Sequence, residues 1–314
     1  MDGEEAQYFC HDFDWNDHRD EVEKDVSLHY HLLPFQESEQ SPCSSSSASS
    51  SYPPSMDDTS EAWKRFHNRH SMGRFFKERR YLLKEFPELL SAHDYSKVLE
   101  VGCGNGSTVL PILRANKKII VYACDCSMLA LQRARDMVES SEDISADNQF
   151  HPFLCDISLS GLPGNMGSSG SFLGRFQDTE VLDMTSTIKC ACSDESHSFL
   201  DGVDFVTLIF TLSSIPFQRM PFVIKECYSA LKPGGLLCFR DYGLYDMTML
   251  RLLPSQRVGH RAYMRADGTL SYFFSLEQAK ELFCNAGFIV VTFSTVYLTF
   301  PLFCFFFFLG HKVS

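Results

Sequence analysis

Basic charge is nearly absent from the first sixty residues, where fourteen Asp and Glu are opposed only by Arg19 and Lys24. The chain of 314 residues carries 28 Lys and Arg against 40 Asp and Glu, a net charge of -12, so residues 61–314 hold 26 of each sign and are neutral as a unit. An acidic total argues against a polyanionic partner, but its confinement to one end lifts that exclusion from the remainder. Paired C-x-x-C spacing is also lacking. The close pairs among the 12 cysteines, Cys124/Cys126 and Cys190/Cys192, are C-x-C, and no metal site is expected. No secretory signal is read, and Met1–Gln7 are acidic rather than Arg-rich as in a transit peptide, so the expected location is cytoplasmic, with the nucleus also open. Cys103, Cys124, Cys155 and Cys238 sit in apolar runs and are expected to be reduced core residues.

What is present changes character near residue 60. Residues 1–60 join an acidic piece dotted with Tyr8, Phe9, Phe13 and Trp15 to a serine tract, Ser44–Ser51, closed by Pro53 and Pro54. So little apolar surface cannot offset the entropy of ordering, and this extension is expected to be largely disordered. Over 61–95 aromatic and basic residues interleave in a helical segment: Trp63, Phe66, His67, Phe75, Phe76 and Tyr81, among Lys64, Arg65, Arg69, Arg74, Lys77, Arg79 and Arg80. Aromatics at helical spacing are usually core, as expected for Phe75 and Phe76, whereas Trp63 beside cations also suits bases beside phosphates. A second basic cluster, Arg251, Arg257, Arg261 and Arg265, reads either as a solvated face or as a nucleic-acid contact.

The segment Val98–Val101 reads as a buried strand running into Gly102-Cys103-Gly104-Asn105-Gly106, with a helix over Thr108–Arg114 beyond. Glycines at alternate positions let the backbone turn sharply and approach a ligand closely. Nicotinamide-binding turns space their glycines G-x-G-x-x-G; G-x-G-x-G behind an acid resembles the S-adenosylmethionine loop of class I methyltransferases. The next apolar run, Ile119–Cys124, ends at Asp125, where an acid at a strand tip can accept from both ribose hydroxyls. A helix over Met128–Val138 precedes a third strand, Phe150–Cys155, ending at Asp156-Ile157. An acid there commonly holds the adenine amine in class I methyltransferases; a plain turn aspartate is the alternative. Residues 158–200, rich in Gly and Ser, read as a mobile surface insertion. The strand Val203–Phe210, the helix Pro221–Leu231 and the strand Leu236–Phe239 continue the alternation. The expected fold over 96–295 is α/β and Rossmann-like, a mostly parallel sheet with helices on both faces.

At the carboxyl end of that last strand, where open α/β sheets place their ligands, stands Arg240-Asp241-Tyr242-Gly243. With Trp63-Lys64-Arg65-Phe66, Phe75–Arg79, Leu99–Gly104, Leu208–Phe210 and Tyr272–Phe274, it makes the chain from Trp63 to Val291 resemble the eukaryotic methyltransferase-like enzymes that form 3-methylcytidine in the tRNA anticodon loop. The resemblance implies S-adenosylmethionine as cofactor, held by Trp63, His67, Gly102, Gly104, Asp125, Asp156, Ile157 and Ile209, with His67 standing where relatives usually have tyrosine. It implies an RNA-binding surface around Lys77, Arg79 and Arg80, tRNA as partner, and substrate choice aided by an aminoacyl-tRNA synthetase or another adaptor.

Cytosine N3 lies on the pairing edge, so the base must leave its stack before its lone pair attacks a sulfonium methyl. The base becomes cationic, and a carboxylate accepting from its N4 amine would stabilise that charge. Asp241 is the catalytic candidate, with Arg240 beside it; the alternative is a structural Arg240–Asp241 ion pair. The other end of the chain opens competing readings. Relatives continue past the helix Leu276–Ala286 and the strand Phe288–Val291 into a final strand, whereas residues 296–314 form an atypical apolar tail. The final strand is therefore expected to be altered or missing, which would expose sheet edges and leave an inactive or RNA-binding variant. A membrane tail anchor is a further reading of the 22 uncharged residues Phe288–Leu309, against which Pro301 counts. An NAD-dependent oxidoreductase is the remaining enzyme alternative.

Overall fold

The computed structural model of the chain describes residues 15–35, 56–70, 78–163, 202–297 and 303–311. Five apolar runs form the parallel part of the main sheet: β1 (Lys97–Val101), β2 (Ile120–Asp125), β3 (Phe150–Leu154), β4 (Val203–Ile209) and β5 (Leu231–Tyr242). β1 lies at the centre, with Val98 opposite Val121 of β2 and Leu99 opposite Val206 of β4. A small antiparallel sheet follows, of β6 (Arg257–Gly259), β7 (Ala262–Met264) and β8 (Leu270–Tyr272). The main sheet then closes with β9 (Phe288–Tyr297) and β10 (Phe303–His311), giving the order β3-β2-β1-β4-β5-β10-β9.

The helices are α1 (Trp15–Lys24), α2 (Met56–Arg69), α3 (Leu82–Glu85), α4 (Val109–Ala115), α5 (Met128–Glu139), α6 (Ala146–Gln149), α7 (Ile157–Ser160), α8 (Met220–Ala230), α9 (Met247–Leu250) and α10 (Leu276–Asn285). Side-chain caps start two of the longer ones: the Ser127 hydroxyl accepts from the Ala130 N–H at α5 and that of Ser275 from the Gln278 N–H at α10. Alternation along the strands divides the core in two. Val98, Val121, Phe205 and Cys238 face α4 and α5, whereas Leu99, Val206, Leu208 and Phe239 face α8 and α10. Cys103, Cys124, Cys155 and Cys238 are buried free thiols; Cys190 and Cys192 lie outside the described residues.

One expectation is corrected. The final strand is present: the phenylalanine-rich tail supplies β10, which runs antiparallel between β5 and β9, with Phe306 opposite Arg240 and Ser294. Seven positions, Cys304–Gly310, pair on both sides, so β5 has no open edge there and β9 becomes the outer strand, and the argument for an inactive variant loses its basis. The span read as a membrane anchor is thus two strands among the described residues, and no helix of those residues is long and apolar enough to cross a membrane. Within the extension 1–60, residues 15–35 and the first turn of α2 are ordered. Residues 15–35 form a strap of α1 and a 3-10 turn over Val26–His31, docked on the small sheet. The Tyr30 hydroxyl donates to the Leu252 carbonyl at 2.5 Å, His31 Nδ1 is hydrogen-bonded to the Tyr263 hydroxyl at 2.8 Å, and Arg257 donates to the Tyr30 and Leu33 carbonyls. The serine tract, Phe75, Phe76 and 164–200 of the expected insertion lie outside the described residues.

Candidate active site

Three strand tips converge at the carboxyl edge of the sheet. β1 turns at Gly102, whose φ of +70° strains any residue with a Cβ; a Cβ there would lie 2.5 Å from the Thr211 side chain. Thr211, just past β4, donates its hydroxyl to the Val101 carbonyl at 3.0 Å, so the two tips are locked together. At the tip of β2, Asp125 accepts from the Gly104 N–H through Oδ2 and from the Ser127 N–H through Oδ1, both at 2.9 Å. Each carboxylate oxygen has two lone pairs, so one on each remains for a diol. Beyond β3, Asp156 caps α7: Oδ1 accepts from the Ser158 N–H and hydroxyl at 3.1 and 2.6 Å, and Oδ2 from the hydroxyl of Ser60 in α2.

Helix α2 closes the site. Its Trp63 and Phe66 rings meet edge to face with centroids 5.2 Å apart, and Phe66 meets His67 the same way at 5.6 Å. Burial holds the His67 imidazole below the ordinary histidine range, while Asp125 pulls the other way and Arg133 adds to the lowering. Arg133 also donates to the carbonyls of His67 and His70, both at 3.3 Å, and so ties the end of α2 to α5.

Between these elements lies a cavity of about 380 Å³. All eight residues expected to hold a cofactor, Trp63, His67, Gly102, Gly104, Asp125, Asp156, Ile157 and Ile209, line it. Its other half is aromatic and basic, built from Arg79, Tyr81, Phe210, Tyr242 and Arg265. The Phe210 and Tyr242 rings lie 5.0 Å apart; the Arg79 guanidinium stands 5.2 Å from the first and that of Arg265 5.4 Å from the second. Phe210 has a φ of +53°, a conformation that a bulky residue adopts only when its surroundings hold it there.

The other expected site residues are placed differently. Arg79 reaches the cavity, Arg80 is an exposed partner of Glu78 at 3.2 Å, and Lys77 lies outside the described residues. Neither Arg240 nor Asp241 lines the cavity; both are fully buried. Adjacent strand residues face opposite ways, and each meets its own partners: Arg240 pairs with Glu85 of α3 rather than with Asp241. The Asp241 carboxylate accepts from the Ser213 N–H at 2.8 Å and the Tyr242 N–H at 2.9 Å. It is turned into the wall and does not face a base, which corrects the expected contact with a cytosine amine. Burial pushes its carboxyl up to about 6, against those hydrogen bonds. Burial likewise pushes Glu100, the acid before the glycines, up to about 8, with Arg79 and the Thr108 and Thr207 hydroxyls opposing.

Sequence reasoning missed Thr211, Phe210, Ser213 and Ser60 as parts of the site. Leu208-Ile209-Phe210 continues an apolar run, so nothing in it signals that the chain reverses hand at Phe210. Ser60 sits beside the serine-rich extension, and its bond to Asp156 crosses nearly a hundred residues. Arg265 carried a signal, its place in the second basic cluster, but so did Arg257, which the strap engages.

A family model described as a methyltransferase domain matches residues 75–292. The tRNA N(3)-cytidine methyltransferase METTL6 of Rattus norvegicus is 35% identical over 230 residues, which cover 72% of this chain and 67% of that protein. METTL6 of Homo sapiens is 32% identical, with 72% and 68% covered. The tRNA N(3)-methylcytidine methyltransferase Mettl2 of Drosophila melanogaster is 32% identical, with 73% and 62% covered. Among solved structures the cyclase SpnF aligns with a TM-score of 0.54 at 14% identity, over 84% of this chain and 98% of that one. The PH0226 protein of Pyrococcus horikoshii OT3 aligns with a TM-score of 0.50 at 14% identity, over 78% and 99%. At such identities the likeness carries the fold and not the reaction.

Proposed function

The chain belongs to the methyltransferase-domain family and, within it, to the tRNA N(3)-cytidine methyltransferases, and from that premise we propose that it methylates N3 of an unpaired cytosine in the tRNA anticodon loop. The observation that most supports this is the division of one cavity into a cofactor-like half and a half of aromatic rings and arginines.

The residues of the first half fit S-adenosylmethionine. Trp63 Nε1 is buried with no hydrogen-bond partner, Asp125 keeps a lone pair on each oxygen, and the floor at Gly102 carries no Cβ. The cofactor supplies an electrophilic methyl group on a sulfonium. Asp125 would hold the ribose diol and Asp156 with Ile157 the adenine, while the Gly102–Gly104 turn, Ile209, Trp63 and His67 would form the remaining wall. In the second half Phe210, Tyr242 and Tyr81 offer faces on which a base stacks, and Arg79 and Arg265 offer charge to the phosphates beside it. Cytosine N3 carries its own lone pair, so the protein need not remove a proton before attack. The ring faces stabilise the positive charge that grows on the base, and the remaining acceleration is proximity and orientation. Asp241 acts through the wall, by fixing the Ser213 and Tyr242 backbone.

Choice among tRNAs is assigned in this proposal to an adaptor, an aminoacyl-tRNA synthetase being the expected kind. The proposed location is cytoplasmic, with the nucleus as second compartment, because both hold tRNA. Incubation of the full chain with unmodified tRNA and S-adenosylmethionine is expected to yield 3-methylcytidine on nucleoside analysis. Folded protein that transfers no methyl group to cytidine N3 would contradict the proposal.

A further inference from the structure

Arg240 occupies an unusual place for a charged side chain. It lies fully buried in the sheet, beneath the substrate half of the cavity and on the side of α3. Its guanidinium pairs with Glu85, at the end of α3, and stands 4.7 Å from the centre of the Tyr81 ring and 5.7 Å from that of Phe210. Its backbone carbonyl accepts from the Phe210 N–H at 2.7 Å, the residue whose φ is +53°. Arg240 therefore grips Phe210 twice, through the main chain and across the ring face.

We propose that Arg240, oriented by Glu85, is a positioning residue that sets the planes of Phe210 and Tyr81, the rings on which the target base stacks. The inference rests on the function proposed above. Burying an ion pair costs both partners their hydration and seldom stabilises a fold more than apolar side chains of similar volume would. What the pair provides is geometry. A guanidinium is flat and can lie against a ring while its edge meets a carboxylate; an ammonium is a point charge that is attracted to either partner but has no plane by which to set a ring. The pair also joins two parts of the chain that must agree if a base is to enter. Glu85 follows Arg79 by six positions on the segment carrying the phosphate-side arginine, and Arg240 precedes Tyr242 on the strand carrying the other ring. Among the eight cofactor-half residues, Ile209 lies opposite Arg240 in the β4–β5 ladder, a main-chain relationship that a change of the Arg240 side chain leaves in place.

The test is Arg240→Lys, which keeps the charge and the partner but removes the flat face, compared with the wild type by calorimetric titration of S-adenosylmethionine and by steady-state methylation of unmodified tRNA. The expected result is cofactor affinity within about twofold of wild type and kcat/KM for tRNA lower by about tenfold, within the range of a cation–π contact, with most of the loss in KM. Should Arg240→Lys melt too low to assay, Glu85→Gln removes the charge that orients Arg240 at nearly constant shape and is expected to show the same split. A parallel fall in cofactor affinity would make the pair a general support of the sheet and overturn the proposal, as would unchanged kcat/KM in both variants. Wild-type protein that binds the cofactor and forms no 3-methylcytidine would instead remove the function proposed above and this inference with it.

Discussion

Ser60 of α2 donates its hydroxyl to Asp156 at the end of β3, across the mouth of the cofactor half of the cavity. The bond joins a helix that precedes the sheet to the strand tip expected to meet adenine, and with Arg133 at the other end of α2 it holds the lid at two points. Ser60→Ala leaves Asp156 with its Ser158 contacts but frees that end of the lid. A hydrogen bond to a charged group contributes about 1.5–3 kcal/mol, so thermal stability is expected to fall and, because the freed lid must be re-ordered on binding, S-adenosylmethionine affinity is expected to fall by up to about tenfold with it. Titration calorimetry on the variant decides it, and unchanged affinity would mean that α2 is held by its aromatic face alone.

Glu100 and Asp241 titrate well above their ordinary values of 4.5 and 3.8, at about 8 and about 6. The folded chain keeps protons that the unfolded chain has already released, so stability declines as pH rises, from about 4 to about 6 for Asp241 and on to about 8 for Glu100. Glu100→Gln is expected to flatten the decline between about 6 and about 8, and Asp241→Asn the part below about 6. Urea denaturation at a series of pH values measures both; a Glu100→Gln profile parallel to wild type would contradict the assignment.

The strap responds with the opposite sign. Burial, with Arg257 adding to it, lowers His31 from 6.5 to about 4, so the folded strap holds a neutral imidazole. Its contribution is present above about 6.5 and is lost as pH falls toward about 4, because the released strap takes up a proton that the docked one refuses. Proteolysis within residues 15–35 is expected to accelerate on acidification in wild type and to lose that dependence in His31→Gln. Equal dependence in both would place the titrating group elsewhere.

How much of this was legible in the sequence depended on whether a residue acts through its own neighbours or through distant ones. The strands from β1 to β4, the glycine turn and the acids at 125 and 156 announce themselves, because apolar runs ending in Gly or Asp are local patterns. The tail did not, because a continuous apolar run carries no alternation by which to place it in a sheet. Such a run of phenylalanines resembles a replaced end as much as an inner strand. The strap was unreadable because its docking uses backbone carbonyls, those of Leu252 and Tyr245, which have no sequence signature. Arg240 and Asp241 were read as one unit because they are adjacent, whereas a strand turns adjacent residues to opposite faces.

The most direct test of the central claim is the position and identity of the transferred methyl group. The full chain, with an anticodon-loop tRNA substrate and S-adenosylmethionine, is followed by mass spectrometry of the digested RNA, alongside Asp125→Asn, which replaces an acceptor of the Gly104 and Ser127 N–H groups by an amide. Losing one such charge-assisted contact is expected to weaken cofactor binding by about tenfold to a hundredfold. The account predicts methylation at cytidine N3 in the loop by wild type, and strongly reduced transfer by the variant at low cofactor concentration. Methyl transfer to another atom or another base, or equal transfer by the two proteins, would contradict it.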